Sequence, residues 1–472
     1  MRIRIEKSGY ARFFAGALFF SAALLLPGCG LFEELPEFSG TDAHGALRDL
    51  PDAKKDALPA DDRECVVPED CADLANMGAT CSDFRCVYTC EEGFADVDRQ
   101  TSTNGCECAV TIEVCDGLDN DCDGFADNLF KDGQIAVGGR HSCAADATGV
   151  LYCWGANEQG QLGFGSVDGQ LEPVRAPISN QLRVAQLGVG ENHSCVLSAT
   201  DASLHCWGAN AHGQLGDGST DARPTPSSPI PFSGTPIHII AGNAHTCVLD
   251  STRHLHCWGD NRAGQLGVGS SEPTITAPMP AMADLSFLSA AAGDQHTCGL
   301  MRDGRIYCWG DNSQGQFGVG DFDAHSGRTQ PTAMPVSPTF TALAVAGSYT
   351  CGLLAAGHVY CWGGGVGLPQ PVTNPQGTPI DFTGATISLS ANGQFCALNP
   401  QEGTLLCGSI DAPGISTRYD SYLFKTLAAG FAHTCAINQN GRAYCWGDNS
   451  AGQIGNGTPG GTVPAPLVAA CR

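Results

Sequence analysis

The residues best suited to bind a metal form an acidic turn. Residues 115–127 read Cys-Asp-Gly-Leu-Asp-Asn-Asp-Cys-Asp-Gly-Phe-Ala-Asp. Alternate carboxylates point into such a turn, glycine permits its sharp bend, and hard oxygen donors of this kind suit Ca²⁺. The spacing predicts a calcium site with the ligands Asp119, Asp121, Asp123, the backbone carbonyl of Phe125, and Asp127. The alternative is an acidic, solvated turn that binds no metal.

The turn is not an EF-hand, because Phe130 stands where the twelfth-position glutamate would be and no helical pattern flanks it. It resembles the short Asp-rich calcium motif of thrombospondin type 3 repeats. It is also similar to a cysteine-containing metal-binding repeat common in surface proteins of myxobacteria. That repeat usually continues with Asp-Glu, whereas Asn128 follows Asp127 here.

Cysteine pairs recur seven times after this turn, with partners ten or eleven positions apart. Several flank a hairpin turn such as Asp303-Gly304, which places both cysteines on adjacent strands within bridging range. We therefore predict seven disulfides, with a redox or metal role as the alternative. The predicted pairs are Cys143 with Cys153, Cys195 with Cys206, Cys247 with Cys257, Cys298 with Cys308, Cys351 with Cys361, Cys396 with Cys407, and Cys435 with Cys445.

Histidine and tryptophan also recur at fixed places in these units. The histidines are His141, His193, His245, His296 and His433, and the tryptophans are Trp154, Trp207, Trp258, Trp309, Trp362 and Trp446. One histidine per unit would be spread too widely to share a metal ion, so we predict hydrogen bonding within each unit. The repeated Cys-Trp-Gly motif favours packing of tryptophan between units over ligand stacking.

The seven units predict an all-β fold. Each unit contains short apolar and β-branched strands separated by Asx-Gly and Gly-rich turns, which is typical of a small antiparallel sheet. One such sheet cannot bury its faces alone and must stack on its neighbours. Seven sheets around an axis form a seven-bladed β-propeller.

The repeats resemble those of the regulator of chromosome condensation family. Residues 429–437 and 452–455 match its Ala-Gly-x-x-His-Thr and Gly-Gln-Leu-Gly motifs closely, and the resemblance covers about 134–470. The fifth and sixth units depart from the pattern, because Tyr349 and Gln394 stand near the histidine place. The resemblance implies a seven-bladed propeller that binds proteins through a face. The nuclear member engages a small GTPase and chromatin, and a secreted bacterial member inhibits β-lactamases.

The C-terminus predicts a ring closure. The stretch Thr-Val-Pro-Ala-Pro-Leu-Val at residues 462–468 mimics the Pro-rich lead into a blade, but no blade follows. We expect this stretch to supply the outer strand of the first blade. The cysteines of residues 64–132, the segment before the repeats, are odd in number. They can all be cross-linked only if one of them pairs with Cys471.

The N-terminus predicts export. Four basic residues precede an apolar run from Phe13 to Leu26, which is too short to span a bilayer and typical of a signal peptide. The run ends in Leu-Pro-Gly-Cys, which resembles a bacterial lipobox and implies acylation of Cys29. An ordinary secretory signal is the alternative. The 25 cysteines also require an oxidising compartment.

Four regions follow from these features: a signal peptide over 1–28, a tether over 29–63, a disulfide-rich module over 64–132 and the propeller over 133–472. With 49 acidic and 24 basic residues, the chain lacks the positive surface that nucleic acid requires. We predict an outer-membrane lipoprotein of the cell envelope, facing the periplasm or the outside, whose partner is an envelope or extracellular protein.

No catalytic motif occurs in the sequence, which predicts that the protein is not an enzyme. A carbohydrate-binding or enzymatic propeller that uses its central channel is the alternative. The segments after the Gly-Gln-Leu-Gly turns differ most between units, so we expect recognition loops at 164–178, 217–231, 268–281 and 319–333.

Overall fold

The computed structural model describes residues 129–176, 182–282, 284–334, 339–371, 382, 385–410 and 414–469, and four short strands between residues 77 and 109. The chain forms two compact units. In the first, strand β1 (Met77–Ser82) pairs with β2 (Arg85–Cys90), and β3 (Phe94–Ala95) pairs with β4 (Cys108–Ala109). Among the described residues, no helix has the length and apolarity needed to cross a membrane.

The second unit is a ring of seven antiparallel sheets, which confirms the predicted all-β, seven-bladed propeller. The first strand of each sheet contacts the first strands of the sheets on either side. These strands therefore line the centre of the ring. The first strands of sheets 7 and 1 also touch, which closes the ring.

The strands of blades 1 to 4 follow one another along the chain. Blade 1 contains β5 (Gln134–Val137), β6 (His141–Ala145), β7 (Leu151–Gly155) and β8 (Gln170–Arg175). Blade 2 contains β9 (Val184–Val189), β10 (His193–Ser198) and β11 (Leu204–Gly208). Blade 3 contains β12 (Pro236–Ala241), β13 (His245–Asp250), β14 (Leu255–Asp260) and β15 (Thr274–Ala281). Blade 4 contains β16 (Phe287–Ala292), β17 (His296–Met301), β18 (Ile306–Asn312) and β19 (Asp323–Ala333).

Blades 5 to 7 continue the same order. Blade 5 contains β20 (Phe340–Ala346), β21 (Tyr349–Leu354), β22 (Val359–Gly363) and β23 (Val366–Pro371). Blade 6 contains β24 (Thr386–Leu389), β25 (Gln394–Asn399), β26 (Thr404–Ser409) and β27 (Gly414–Tyr419). Blade 7 contains β28 (Phe424–Ala429), β29 (His433–Asn438), β30 (Ala443–Asp448) and β31 (Thr462–Val468).

The ring closure predicted from the C-terminus is wrong. Strand β31 is the outer strand of blade 7, where it pairs with β30 of the same repeat. Blade 1 takes its outer strand, β8, from the segment after its own Gly-Gln-Leu-Gly turn. A local return to the preceding strand closes a much shorter loop than a pairing across the whole ring, and therefore costs less chain entropy.

The expected recognition loops also need correction. Strands β8, β15 and β19 lie within the segments 164–178, 268–281 and 319–333, so these segments contain the outer strands of blades 1, 3 and 4. In blade 2 the corresponding segment makes one isolated bridge, between Gly208 and Arg223. Backbone pairing with the third strand of the blade fixes this part of each repeat.

The seven predicted cysteine pairs all lie at disulfide distance, each between the second and third strands of a blade. Cys247, for example, lies directly opposite Cys257 in the register of β13 and β14, with their Cα atoms 4.1 Å apart. All fourteen cysteines are buried. The other six bridges join Cys143 to Cys153, Cys195 to Cys206, Cys298 to Cys308, Cys351 to Cys361, Cys396 to Cys407, and Cys435 to Cys445. The cross-links therefore fix strand register inside the sheets and do not join one blade to another.

Hydrogen bonds join one blade to the next in a repeated pattern, which we refer to as the interblade clamp. A histidine of one blade bonds to a hydroxyl of the next. That hydroxyl and the next blade's tryptophan both donate to the backbone carbonyl of the glutamine in the first blade's Gly-Gln-x-Gly turn. The five clamps are His141–Ser194–Gln161–Trp207, His193–Thr246–Gln214–Trp258, His245–Thr297–Gln265–Trp309, His296–Thr350–Gln316–Trp362 and His433–Ser142–Gln453–Trp154.

The clamp accounts for five of the six recurring tryptophans that were predicted to pack between blades, all except Trp446. In the clamp between blades 2 and 3, the Trp258 indole N–H donates to the carbonyl of Gln214 over 2.9 Å. A Cβ at Gly216 would lie 2.6 Å from that indole nitrogen, and the φ of Gly216 is +72°. Only glycine fits both the contact and this backbone conformation. The glutamine turn of one blade is thus shaped to receive the tryptophan of the next.

The blades also meet through their backbone around the central channel. The turns between the first and second strands donate from blade to blade, as from Asn243 N to Gly293 O over 3.2 Å. A Cβ at Gly242 would lie 2.7 Å from the same carbonyl oxygen of Gly293. A glycine stands at this place in every blade except blade 6, which has Ala391, and it permits the close approach of neighbouring blades at the channel.

Candidate functional site

The predicted calcium ligands Asp119, Asp121, Asp123, Phe125 and Asp127 lie outside the described residues, as do the lipidation residue Cys29 and the terminal Cys471. The calcium site, the lipid anchor and the pairing of Cys471 therefore stay predictions. Within the described part of the chain, no cluster of three or more His, Cys, Asp or Glu residues has the arrangement of a metal site.

The prediction that the histidines bond within their own blade is wrong, because each clamp histidine bonds to the following blade. His193 Nε2 lies 2.9 Å from Thr246 Oγ1, and that hydroxyl already donates its proton to the carbonyl of Gln214. The histidine must therefore be the donor, which places its proton on Nε2. Complete burial lowers the pKa of His193 to about 3, with a smaller contribution from His245, so the ring stays neutral.

A polar cavity of about 410 Å³ opens beside the channel between blades 2, 3 and 4. Its walls include the channel turns of these blades and the loops that follow their third strands. Its polar lining residues include Glu191, His212, Gln214, Asn243, Asp260, Arg262, Asp294, Asp311 and Gln316. A second cavity of about 120 Å³ lies at the centre of the ring, lined by turns from all seven blades. We refer to the larger one as the acidic cavity.

The inner wall of the acidic cavity carries two carboxylates with an amide between them. Glu191, Asn243 and Asp294 occupy the same turn position in blades 2, 3 and 4, and all three line both cavities. Burial and the nearby charge of Asp294 raise the pKa of Glu191, although a hydrogen bond from Asn243 opposes the shift. Burial likewise raises the pKa of Asp294, again against a hydrogen bond from Asn243. Burial thus favours the neutral form of both carboxylates, and neither has a basic partner among the described ion pairs.

The outer wall carries two further carboxylates, and both have partners. Asp260 accepts two hydrogen bonds from Arg262, at 2.8 and 2.9 Å. Burial raises the pKa of Asp260, but the hydrogen bonds and charge of Arg262 outweigh burial and leave it lowered. Asp311 accepts from the Gln316 amide over 2.8 Å. The acidic cavity thus holds four carboxylates against one guanidinium, and the uncompensated charge lies at its inner wall.

Gln214 adds an unpartnered donor to this cavity. In blades 4 and 7 the corresponding amides, those of Gln316 and Gln453, donate to an aspartate five residues earlier. In blade 2 that place is Ala209, and Gln214 Nε2 donates to no described residue. Both Ala209 and Gln214 line the cavity, and Gln214 is only 4% exposed. The amide N–H of Gln214 therefore faces the cavity without an acceptor among the described residues, and an acceptor on a ligand could bond to it.

A related difference occurs in blade 3. Asp260 turns towards Arg262, and the buried Gln265 Nε2 is left without a hydrogen-bond partner among the described residues. In blade 4 the equivalent aspartate has no arginine beside it and accepts from its glutamine instead. Arg262 thus replaces the glutamine amide as the hydrogen-bond partner of the aspartate in blade 3.

Sequence reasoning missed the acidic cavity because its acids are scattered along the chain and no two are neighbours. A signal was present, however. The residue that follows the glycine of each channel turn, or Ala391 in blade 6, is Gly139, Glu191, Asn243, Asp294, Ser348, Asn392 or Phe431. Since equivalent positions of a propeller converge on the channel, two acids at this position in nearby repeats indicate a shared acidic site.

The buried asparagines after the tryptophans were also missed. Asn210 accepts from the backbone of Leu215 over 3.0 Å and donates to the carbonyl of Ser219. Asn261 repeats both roles in blade 3, with Leu266 and Ser270. These side chains hold the Gly-Gln-x-Gly turn in place beneath the cavity.

Several known proteins are similar to this chain. It is 27% identical over 333 residues to the ultraviolet-B receptor UVR8 of Arabidopsis thaliana, covering 68% of this chain and 66% of the receptor. It is 25% identical over 359 residues to the human E3 ubiquitin-protein ligase HERC2, covering 70% of this chain and 7% of the ligase. The chain thus spans less than two thirds of the length of either relative.

Solved structures with a similar chain path include Prp20p of Saccharomyces cerevisiae, at 24% identity and a TM-score of 0.47, covering 71% of this chain and 76% of that one. Human WBSCR16 is 19% identical with a TM-score of 0.48, and the match covers 71% of this chain and 81% of that one.

Family profiles match most of the propeller. The profile of the RCC1-like domain matches residues 124–398, and that of the regulator of chromosome condensation (RCC1) repeat matches residues 424–453. The matched residues contain the clamp histidines, tryptophans and glutamine turns described above. This chain belongs to the RCC1-like domain family.

Proposed function

We propose that this chain is a cell-envelope lipoprotein whose propeller serves as a protein-binding scaffold and not as an enzyme. The observation that carries the proposal is the contrast between a constant framework and a varied face. Five interfaces use the same clamp residues, whereas the channel position varies from Gly139 through Glu191 and Asp294 to Phe431. A rigid scaffold with a varied surface is typical of recognition.

The histidine–hydroxyl pairs support a structural role over a catalytic one. His433 Nε2 lies 2.8 Å from Ser142 Oγ, a distance that a catalytic base and nucleophile would also show. The serine, however, donates its proton to the carbonyl of Gln453, and both side chains are almost completely buried. The histidine Nε2 is therefore a donor, not a base, and no substrate can reach the hydroxyl.

Capture from envelope extract tests the scaffold function. We expect the purified full chain to retain a specific protein, and a variant with Glu191→Gln, Asp294→Asn and Asp311→Asn to lose it. The control is Asp303→Asn, which also removes a carboxylate but lies in the hairpin turn at the opposite ends of the strands. A full chain that bound glycans on an array and retained no protein would overturn the proposal.

The lipid anchor rests on the lipobox resemblance at Leu26-Pro27-Gly28-Cys29. We expect labelled palmitate to be incorporated into the chain in bacterial cells and the Cys29→Ala variant to lose both label and membrane association. Protease treatment of intact cells then distinguishes a surface location from a periplasmic one. Retention of the palmitate label by the Cys29→Ala variant would rule out Cys29 as the acylated residue.

The calcium site rests on the alternating carboxylates of residues 119–127. We expect calorimetry of the full chain with CaCl₂ to show a saturable binding heat that is lost in Asp121→Asn/Asp123→Asn. Asp201→Asn/Asp303→Asn, in hairpin turns of the propeller, is the charge-matched control. Absence of heat at millimolar calcium would contradict the site.

A further inference from the structure

We infer that the acidic cavity between blades 2, 3 and 4 receives an arginine side chain of the partner protein. The inference rests on the proposed protein-binding function and deepens it by naming the chemistry of recognition. It depends on three observations: uncompensated carboxylates at the inner wall, an unpartnered amide donor beside them, and a described lining that contains no Phe, Tyr or Trp.

The carboxylates define the charge of the ligand. Glu191 and Asp294 have no basic partner among the described ion pairs, whereas Asp260 is bound to Arg262. A ligand that brings a positive charge into this half-buried site gains charge-assisted hydrogen bonds in a medium of low dielectric. The two carboxylates stand on different blades, on either side of Asn243. A forked guanidinium with five donors can bond to both, whereas an ammonium is a compact point charge.

The amide of Gln214 defines a second requirement. Its Nε2 is a donor, so the ligand must also present an acceptor. A guanidinium has no acceptor, but the peptide carbonyls beside an arginine supply one. A polypeptide therefore fits the cavity better than a free polyamine does. The volume of about 410 Å³ exceeds the space that one guanidinium alone requires.

The lining distinguishes this ligand from a sugar. Saccharide hydroxyls could also pair with carboxylates and amides, but no Phe, Tyr or Trp of the described chain lines the acidic cavity to pack against a sugar ring. The cavity is also strongly anionic, and a neutral saccharide gains nothing from that charge. Charge complementarity thus favours the arginine.

Calorimetry of the full chain with the peptide acetyl-Gly-Arg-Gly-amide tests the inference. We expect saturable binding, weakened at least about tenfold when citrulline replaces arginine, because citrulline keeps the shape and the carbonyls but loses the charge. We expect the lysine peptide and free L-arginine to bind more weakly than the arginine peptide. Equal binding of the citrulline peptide, or tighter binding of lysine or of free arginine, would overturn the assignment.

Variants locate the site. Glu191→Gln and Asp294→Asn should each weaken the arginine peptide by about tenfold, and Asp303→Asn should leave its affinity unchanged. Far-UV circular dichroism of each variant confirms that the fold is intact. If all three variants bound the peptide equally, the arginine would lie elsewhere and the inference would fail.

Failure of the arginine inference can be distinguished from failure of the proposed scaffold function. Should the envelope partner bind the Glu191→Gln/Asp294→Asn variant as well as the parent chain, the arginine inference fails and the scaffold function stands. Should the arginine peptide bind in the cavity while no partner protein is retained from any extract, the cavity assignment holds and the scaffold function fails.

Discussion

The interfaces of this propeller are of two kinds, and their difference shows how one ring can be held by two types of interaction. Five interfaces carry the interblade clamp. The interfaces between blades 5 and 6 and between blades 6 and 7 do not, as far as the described residues extend. There Tyr349 and Gln394 replace the histidine, Phe395 replaces the hydroxyl residue of blade 6, and Gly408 replaces its tryptophan.

Apolar contacts take the place of the clamp in these two interfaces. Between blades 5 and 6, Phe395 belongs to a buried cluster that includes Leu353 and Leu389. Between blades 6 and 7, the ring centroids of Tyr419 in blade 6 and Trp446 in blade 7 lie 5.9 Å apart, in a cluster that also includes Phe424. Hydrogen bonds have strict geometry whereas apolar burial does not. The clamped interfaces therefore fix the orientation of their blades, and the apolar interfaces tolerate divergence of the repeat.

The largest effect that we expect is a loss of folding stability in acid. This loss should arise mainly at the clamped interfaces. Burial lowers the pKa of His141, His193, His296 and His433 to about 3 and that of His245 to about 4, against 6.5 in the unfolded chain. The unfolded chain therefore takes up protons first, and stability is lost as the pH falls from about 6.5 towards 3. Each histidine contributes about 2 kcal/mol to this loss at pH 5.

Urea unfolding at pH 7.5 and pH 5.0, followed by tryptophan fluorescence, measures this effect. Glu191 and Asp294 oppose it, because a raised carboxyl pKa favours the folded state as the pH falls. A midpoint that did not change between the two pH values would show that the clamp histidines are not neutral donors.

Truncation of the aromatic cluster should break an apolar interface. Phe424 is fully buried, and Phe424→Ala should lower the free energy of unfolding by about 3–5 kcal/mol because it leaves a cavity. Phe431→Ala, whose ring is 45% exposed at the channel, is the control and should cost less than about 1 kcal/mol. Equal losses in the two variants, measured by chemical denaturation, would argue against the role of the cluster.

One hydroxyl distinguishes the two kinds of interface. Thr246 accepts from His193 and donates to Gln214, whereas Thr434, at the same place in blade 7, makes no side-chain hydrogen bond within the described residues. Thr246→Val should cost about 1–3 kcal/mol, since it leaves a buried histidine donor unpaired. Thr434→Val should stay within about 0.5 kcal/mol of the parent. If both variants unfolded at the same denaturant concentration, the clamp would contribute nothing to stability.

The smallest expected change in stability comes from an ion pair within blade 3. Arg262→Ala removes the half-exposed partner of the buried Asp260 and frees that carboxylate to accept from Gln265. We expect the free energy of unfolding to stay level or to rise by up to about 1 kcal/mol. Arg305→Ala, which removes an exposed pair with Asp303, is the matched control and should give no gain. A loss above about 1 kcal/mol in Arg262→Ala alone would refute the competition for Asp260.

Much of the fold could be read from the repeat. The cysteine pairs, the Asx-Gly turns and the Cys-Trp-Gly motif predicted seven sheets with internal cross-links, and the structure has them. These features are local, because each depends on residues about ten positions apart. The partner of each histidine was predicted wrongly because its hydroxyl lies more than fifty residues away, as Thr246 does from His193.

The acidic turn predicted to bind calcium and the acidic cavity differ in the same way. The residues of the turn are close together in the sequence, whereas those of the cavity are far apart. The turn at 119–127 is visible in the sequence because its carboxylates stand at alternate positions of one short segment. The cavity is not, because Glu191 and Asp294 come together only when blades 2, 3 and 4 are arranged around the channel. The sequence determined the number, class and cross-linking of the blades, since these follow from short-range pattern and chain connectivity. Only the tertiary structure decided which strand closes each blade, how neighbouring blades bond, and where charge accumulates, because the ring brings distant residues together.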